Sequence, residues 1–418
     1  MRQVKDQLEA REAAALLGVK LPTLYAYVSR GLLRSVPGER GPARRYPRAD
    51  LERLRAQRDA GSGRAAAAAG ALRWGEPVLD SSITRLATGG PAYRGQPALS
   101  LAQRDAPFEA VAELLWSGSL PKRTPAWCVG GLGVSLTRLR SLLPGRSPLL
   151  TGLSLLVPAL AANDPGRFDT APAAVLPRAR TLLKRLAAGL ALVRDPRRIE
   201  RALAARSIAH TVSIALNAQG GRRAVRALNR TLILLADHEL NASAFAARVA
   251  ASTGADIYAC EAAALATLTG PRHGAASERV EALVTEIGQP ERAERMLQER
   301  MRRGERIPGF GHPLYPGGDP RALPIIEAAR QLDPGAPGLH TVLALIDAMR
   351  EAGRPAPNID AALVALAAAL KLPAGSCAGL FAVGRTAGWV AHVLEQYEAD
   401  YVMRPRARYA GGPGVAGA

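Results

Sequence analysis

Hydrophobic residues recur every three or four positions along most of this 418-residue chain, which is the spacing of helices with one buried face. Stretches that alternate apolar and polar residues, as β-strands do, are scarce, and no segment repeats another. Two short stretches at 83–86 and 92–94 flank Gly89-Gly90-Pro91 and predict one hairpin. We expect an all-α protein, with helices over 98–118, 175–194, 198–218, 221–236, 241–268, 275–288, 290–304, 338–352, 359–371 and 376–399.

Residues 1–60 have a pattern of their own. Helical spacing over Leu8–Leu17 is followed by a turn at Gly18 and by a second short helix from Pro22 to Arg30. A loop rich in Gly, Pro and Arg leads to a charged helix at Ala49–Asp59. This order resembles a MerR/excisionase-type helix-turn-helix, with Arg40–Arg48 as its wing. Its small core is expected to contain Ala14, Leu17, Val19 and Leu24.

The resemblance implies that the second helix enters the DNA major groove and that the wing binds phosphates. Tyr46 in the wing would add a stacking surface to the charge of its arginines. The alternative is a small helical docking module, in which the charged residues only keep the surface solvated and do not bind DNA. The residues expected to contact DNA are Thr23, Tyr25, Arg30, Arg44 and Arg45.

Composition narrows the possible classes of protein. A chain with 48% hydrophobic and 22% charged residues is neither disordered nor collagen-like. The net charge is +19, but the basic residues are 50 Arg and 5 Lys, a bias that indicates codon composition rather than a binding surface. Residues 1–67 hold 14 basic and 7 acidic side chains, hence +7, which leaves +12 for the other 351. Nucleic-acid binding is therefore expected only near the N-terminus.

The cysteines and the apolar segments indicate the cellular compartment of the protein. Cys128, Cys260 and Cys377 are widely spaced, which argues against a disulfide framework and against a zinc site. We expect no bound metal. The first residues carry charges throughout, and the longest uncharged run, 147–163, contains two prolines, so we expect a cytoplasmic protein without a membrane span.

Four loop motifs concentrate reactive side chains, and three of the six histidines fall in them. Gly270–Gly274 contains His273, Gly309–His312 is followed by Asp319-Pro320-Arg321, and the other two are Asp237-His238-Glu239 and Pro357–Asp360. Any one histidine alone is more often structural. Asp360 stands at a predicted helix start, where the helix dipole favours the ionised carboxylate.

Together these motifs resemble the citrate synthase family in order and spacing. The resemblance covers about 78–411, more weakly over 122–200, and implies a large helical domain (73–273 and 366–418), a small one (274–365) and a linker at 61–72 before them. The segments that carry it are LLADHELNASAFAARVAAST (234–253), GPRHGAAS (270–277), IPGFGHPLYPGGDPRA (307–322), PNID (357–360) and FAVGRTAGWVAHVLEQ…RPRARYAG (381–411).

The family condenses acetyl-CoA with oxaloacetate and hydrolyses the citryl-CoA to citrate and CoA, as a citrate (Si)-synthase-type acyltransferase of the tricarboxylic acid cycle. The resemblance implies Asp360 as the general base, His273 as hydrogen-bond donor to the thioester oxygen, and His312 at the oxaloacetate carbonyl. His238, Arg321, Arg385 and Arg404 would bind the carboxylates, Arg404 from the partner subunit of a homodimer. The residues implied for CoA are Ile307, Pro308, Gly309, Phe310, Gly311 and Arg354.

Two other functions fit the same residues. A 2-methylcitrate synthase would use propionyl-CoA in the same mechanism, and a DNA-binding regulator would use the domain to sense metabolites. The retained base Asp360 favours an enzyme, since binding alone needs no base. Acetyl-CoA would be a substrate, and no cofactor is expected. The chain departs from the usual family pattern at Arg272, Ala275, Ser277 and Pro313.

Overall fold

A computed structural model of the chain describes residues 7–29, 33–37, 44–48, 50–51, 79–123, 126–145 and 147–405. The chain divides into two compact units between Asp80 and Ser81, and each unit is described by itself. Arg30, most of the predicted helix Ala49–Asp59 and the predicted linker 61–72 lie outside the described residues.

The first unit places two helices beside a small antiparallel sheet. Helix α1 begins later than its hydrophobic spacing predicts, because Leu8 and Glu9 are extended, and Glu9 forms a reciprocal capping box with Glu12. The central strand β3 pairs with both of the others, with Leu8 opposite Tyr46. The elements are β1 (Gln7–Glu9), α1 (Ala10–Leu17), α2 (Leu21–Ser29), β2 (Val36–Pro37) and β3 (Arg44–Pro47).

The helix-turn-helix connection follows the prediction. Gly18 has a left-handed backbone with φ of 63°, and Val19 N–H donates to the Ala14 carbonyl over 3.0 Å, which closes the turn. Of the expected core, Val19 is only partly buried. The buried side chains are Leu8, Ala13, Ala14, Leu17, Leu24, Leu33, Tyr46 and Leu51.

The surface expected to contact DNA is only partly as predicted. Thr23, Tyr25 and Arg44 are exposed, and Arg45 forms an ion pair with Glu9 at 3.1 Å. The interpretation of Tyr46 as a stacking surface is wrong, because its side chain is 2% exposed. The pairing of β3 with β1 turns this ring into the core opposite Leu8.

The second unit begins with the predicted hairpin and continues as helices. Strands β4 (Thr84–Ala87) and β5 (Gly90–Tyr93) pair antiparallel, and β6 (Gln96–Pro97) adds to β5. The helices are α3 (Ala98–Gln103), α4 (Phe108–Ser117), α5 (Leu136–Ser141), α6 (Leu149–Ala162), α7 (Pro172–Gly189), α8 (Ile199–Leu203), α9 (Ile208–Ala215), α10 (Gly221–Leu235), α11 (Ala242–Ser252), α12 (Ile257–Leu268), α13 (Ala276–Ile287), α14 (Ala293–Arg302), α15 (Ala322–Leu332), α16 (Pro337–Glu351), α17 (Ile359–Ala369) and α18 (Ser376–Ala399).

Several predicted helices are pairs of shorter ones. The segment 98–118 breaks at Asp105, whose φ is 53°, and 241–268 breaks at Gly254, after which Asp256 caps α12. Helices α5, α6 and α15 were not predicted. Helix α6 is apolar on nearly every side and contains Pro158, so it lacks the one-sided spacing on which the prediction depended.

Two hydrophobic clusters form the core of this unit. The larger one surrounds α18, which is long and apolar enough to cross a membrane but whose side chains are almost all buried inside the protein. A separate cluster joins α13, α14 and α16. Its buried members are Leu283, Ile287, Ala293, Met296, Leu297, Leu345, Ala348 and Met349.

Candidate active site

Two of the loop motifs are fastened to each other by backbone hydrogen bonds. Gly311 N–H donates to the Ala356 carbonyl, and Asn358 N–H donates to the Gly309 carbonyl, both over 2.9 Å. Gly309 has φ of 87°, and a β-carbon there would lie 2.9 Å from a methyl group of Val280, so the close approach requires glycine. The loop predicted to bind CoA therefore lies directly beside the start of α17, which carries Asp360.

The start of α17 places Asp360 in a partly buried position. The Asn358 side chain caps the helix and accepts the Asp360 N–H over 3.0 Å. Burial raises the pKa of Asp360 to about 7; the charge of Arg321 opposes the rise, and that of Asp319 adds to it. The expectation that the helix start favours the ionised carboxylate is therefore wrong, because loss of solvent outweighs the helix dipole.

Asp319 links the same helix start to Arg321. Its carboxylate accepts two hydrogen bonds from the Arg321 guanidinium, over 2.9 and 2.8 Å, and both side chains are buried. It also accepts the Ile359 N–H over 3.2 Å. Burial alone would raise the pKa of Asp319, but the charge and hydrogen bonds of Arg321 lower it below its ordinary value.

The histidines at 238 and 312 lie together, with ring centroids 5.3 Å apart. The pKa of each is lowered by burial first and by the Arg321 charge second, so both rings are neutral at pH 7. His312 Nδ1 accepts the Leu314 N–H over 3.1 Å. A neutral imidazole has one proton, so His312 carries it on Nε2 and can donate from there.

His273 forms a separate hydrogen bond, with Ser243, in the same part of the fold. Its Nε2 lies 2.8 Å from Ser243 Oγ, which also accepts the Trp389 Nε1–H over 3.0 Å. The single hydroxyl proton of Ser243 has two acceptors, His273 Nε2 and Asn241 Oδ1 at 2.7 Å. When it goes to His273, the ring proton is on Nδ1. Burial lowers the pKa of His273 to about 4, so the imidazole is neutral.

Arg385 is a second buried guanidinium, 1% exposed, on α18. Its Nε donates to the Leu235 carbonyl over 2.8 Å, and the group lies 4.8 Å from the Phe381 ring centroid. Burial lowers its pKa to about 10, so it remains a cation at neutral pH. Among the residues the structure describes, no carboxylate lies within ion-pair distance of Arg385, although the charge of the buried Asp237 acts on it.

Other predicted site residues lie at the surface. Arg354 and Arg404 are exposed, and neither bonds to the described residues of the cluster. Arg272 is exposed as well, whereas Ser277 is buried and donates to the Gly274 carbonyl over 3.2 Å. Ile307, Pro308 and Phe310 are half-buried on the loop beside Asp360.

Sequence reasoning missed the residues that hold the catalytic candidates in place. Ser243, Tyr315 and Asp319 each bond to a predicted site residue, and Trp389 bonds to Ser243. All four lie within the quoted family segments. Their position in those segments was the available signal. Over the described part of the chain, no group of three His, Cys, Asp or Glu side chains is placed to hold a metal ion.

A groove of about 590 Å³ lies away from the loop motifs, on the described helices α8, α9 and α10. Arg198, Arg201 and His210 are among its lining residues, and none of the loop-motif residues contributes to it. The candidate chemistry therefore belongs to the loop cluster and not to this groove.

Comparisons with known proteins identify the families to which the two parts of the chain are similar. Residues 71–406 match the family of the citrate synthase C-terminal domain, and residues 8–59 match a helix-turn-helix domain. Citrate synthase 2 of Bacillus subtilis is 40% identical over 190 residues, 45% of this chain and about half of that relative. Citrate synthase of Mycolicibacterium smegmatis is 32% identical over 77% of this chain and 89% of its own length.

A 2-methylcitrate synthase of Mycobacterium tuberculosis is 31% identical over 76% of this chain and 84% of its own length. Among solved structures, the ternary complex of citrate synthase from Thermoplasma acidophilum with carboxymethyl coenzyme A and oxaloacetate has a TM-score of 0.71 at 25% identity. That match covers 82% of this chain and 96% of the other. Citrate synthase from Thermotoga maritima has a TM-score of 0.67 at 28% identity, over the same 82% and 96%. The chain therefore belongs to the citrate synthase family of enzymes, with a helix-turn-helix domain at its N-terminus.

Proposed function

We propose that the chain condenses acetyl-CoA with oxaloacetate and hydrolyses the product to citrate and CoA. The observation that carries the proposal is the placement of Asp360, whose pKa of about 7 suits a general base near neutral pH. Asp360 lies beside the loop 307–311, and the N–H of the preceding Ile359 donates to Asp319, which also accepts from the buried cation Arg321.

In the first step, Asp360 removes a proton from the methyl group of the thioester. The developing negative charge on the thioester oxygen needs a donor, and a neutral His273 with its proton on Nδ1 supplies one. The Ser243 hydroxyl selects that tautomer when it donates to Nε2. Because the pKa of His273 is near 4, the ring donates as an imidazole over the whole neutral range.

In the second step, the enol carbon attacks the ketone carbon of oxaloacetate. His312 donates from Nε2 to the ketone oxygen, which becomes the hydroxyl of citrate, and Leu314 N–H holds the other nitrogen as acceptor. Arg321 and Arg385 bind the carboxylates of oxaloacetate as buried cations. Water then attacks the citryl thioester carbonyl and releases citrate and the CoA thiol.

We further propose a cytoplasmic homodimer in which Arg404 of each chain reaches the site of the other, which agrees with its exposure in one protomer. Propionyl-CoA is the alternative acyl donor, since the relatives include citrate and 2-methylcitrate synthases at similar identity. The homologous reaction would then give 2-methylcitrate.

The test is release of the CoA thiol, followed with a thiol-reactive dye, from acetyl-CoA or propionyl-CoA in the presence and absence of oxaloacetate. We expect release that depends on oxaloacetate, with the larger kcat/KM for acetyl-CoA. A larger value for propionyl-CoA would reassign the acyl donor. No release from folded protein that binds oxaloacetate would point instead to a metabolite-sensing regulator.

We also propose that the first unit binds DNA. Support comes from the exposed Thr23 and Tyr25 on α2 and the exposed Arg44 on β3. Helix α2 contains no Lys or Arg, so phosphate contacts have to come from the strands beside it.

The experiment is fluorescence anisotropy of a labelled random duplex at several salt concentrations. Arg44→Ala should weaken binding and make the slope of log affinity against log salt shallower by about one. Arg140→Ala, an exposed arginine of the second unit, is the matched control and should change neither. Absent or salt-insensitive binding by the full chain would restore the interpretation of a docking module.

A further inference from the structure

His312 begins a tight turn that ends at Tyr315. The Tyr315 N–H donates to the His312 carbonyl over 3.0 Å, and Pro313 occupies the second position of the turn. Proline is favoured there because its ring presets the backbone dihedral. A rigid turn therefore carries both a candidate catalytic histidine and a buried tyrosine.

Tyr315 contacts the cluster in three ways. Its hydroxyl lies 2.9 Å from His238 Nε2, its ring centroid lies 4.9 Å from that of His312, and Arg321 Cζ lies 6.0 Å from the ring. The side chain is 5% exposed, so the hydroxyl is shielded from water. Because His238 is also buried, at 8% exposed, the hydrogen bond between the two groups is made away from solvent.

The donor in this bond follows from the other side of the histidine ring. Burial and then the charges of Arg321 and Arg385 lower the pKa of His238, while its own backbone acts in the opposite sense. Nδ1 is the ring nitrogen nearer the backbone, so the single proton of the neutral imidazole lies there. Burial also raises the pKa of Tyr315 to about 12, so its phenol keeps its proton and donates it to Nε2.

We propose that Tyr315 is a positioning residue of the condensation, whose hydroxyl holds His238 in the tautomer with its proton on Nδ1. The inference rests on the proposed function, because it assigns a role in binding oxaloacetate. A substrate carboxylate is a stronger acceptor than the backbone carbonyl, so the Nδ1–H of His238 is the donor available to oxaloacetate.

The turn 312–315 then determines which ring nitrogen carries the proton in each of the two histidines, and it does so with two different groups. The Leu314 N–H directs the proton of His312 to Nε2, and the Tyr315 hydroxyl directs that of His238 to Nδ1. The two histidines consequently meet the same substrate through opposite ring nitrogens, and both are fixed from one short segment.

Tyr315→Phe removes the hydroxyl and keeps the ring against His312 and Arg321. We expect KM for oxaloacetate to rise two- to tenfold, the range for loss of one hydrogen bond, while KM for acetyl-CoA stays within twofold. Tyr258→Phe is the matched control, since it also removes one phenol hydrogen bond, the 3.0 Å bond to Asp164 outside the cluster. It should leave both KM values unchanged.

A spectroscopic measurement separates positioning from packing. In ¹⁵N spectra of histidine-labelled full-length protein, with His238 assigned from the His238→Asn variant, Nε2 should have the shift of an unprotonated nitrogen. In Tyr315→Phe this shift should move toward that of a protonated nitrogen. A protonated Nε2 in the wild-type protein would overturn the proposal, as would unchanged spectra and oxaloacetate KM in Tyr315→Phe.

These outcomes are distinct from failure of the proposed function. If the wild-type protein releases no CoA thiol, the condensation is refuted, while the spectra still report whether Tyr315 sets the tautomer of His238. If thiol release is normal and the spectra do not respond to Tyr315→Phe, only the positioning role is refuted.

Discussion

Asp360→Asn should lower turnover at least a hundredfold and at the same time stabilise the folded protein above pH 7. The substitution keeps the shape of the side chain and removes the carboxyl group that titrates. Its pKa is about 7 in the folded chain against an ordinary value of 3.8, because burial disfavours the charged form. The folded state therefore holds this proton to a higher pH than the unfolded chain does.

The sign of the effect on stability follows from that difference. Between about pH 4 and pH 7 the folded state binds more protons than the unfolded state, so this group lowers the free energy of unfolding as the pH rises. The difference between 7 and 3.8 corresponds to about 4 kcal/mol as an upper limit, reached only above pH 7. Asparagine has no such dependence, so the variant should gain several degrees in melting temperature at pH 8 and little at pH 4.

The same group controls the rate. A general base contributes about 10²- to 10⁴-fold, so Asp360→Asn should lose at least a hundredfold in thiol release. In the wild-type protein kcat/KM for acetyl-CoA should fall below about pH 7, as the base becomes protonated. His273 should add no change above pH 5, because its pKa is near 4.

The assay pairs thiol release with thermal melts from pH 4 to pH 8.5. Asp347→Asn is the control, because the Asp347 side chain is 43% exposed and forms a surface ion pair with Arg350 at 2.9 Å. It should change neither the rate nor the pH dependence of melting. Turnover within tenfold of wild type in Asp360→Asn would refute the assigned base, and equal melting temperatures at pH 8 would refute the burial account.

Two further substitutions test the groups that hold the site. Asp319→Asn should lower the free energy of unfolding by about 3–5 kcal/mol in urea, because Arg321 would be left buried without its carboxylate; a loss below about 1 kcal/mol would contradict this. Ser243→Ala should lower kcat at least tenfold with little change in KM for oxaloacetate, because His273 loses the group that fixes its proton. An unchanged kcat would show that another group orients this ring.

The sequence allowed the hairpin, most helices and the loop motifs to be predicted because those features are local. Asn358 is a cap residue directly before an apolar segment, and the observed helix begins where that pattern predicts. Helix boundaries set by left-handed residues other than glycine were not predictable. Asp105, with φ of 53°, ends a predicted helix because of contacts made elsewhere, among them its ion pair with Arg230 at 2.6 Å.

The residues that position the histidines could not be predicted either, because their partners are distant in the sequence. Tyr315 is 77 positions from His238, and Ser243 is 30 positions from His273, so only the fold brings each pair together. The pKa of Asp360 shows the same limit. A helix start is visible in the sequence and predicts an ionised carboxylate, whereas the burial that reverses this prediction is a property of the packed structure.

Asp319 shows how the fold joins the two halves of the proposed reaction. One of its oxygens accepts Arg321 Nε, and the other accepts both Arg321 Nη2 and the N–H of Ile359, the residue before Asp360. The group expected to bind oxaloacetate and the group expected to deprotonate the thioester are thereby fixed to the same buried carboxylate. Burial is the main cause of the raised pKa of Asp360; the charge of Arg321 lowers this pKa and that of Asp319 raises it, so the ion pair that positions the base also adjusts its strength.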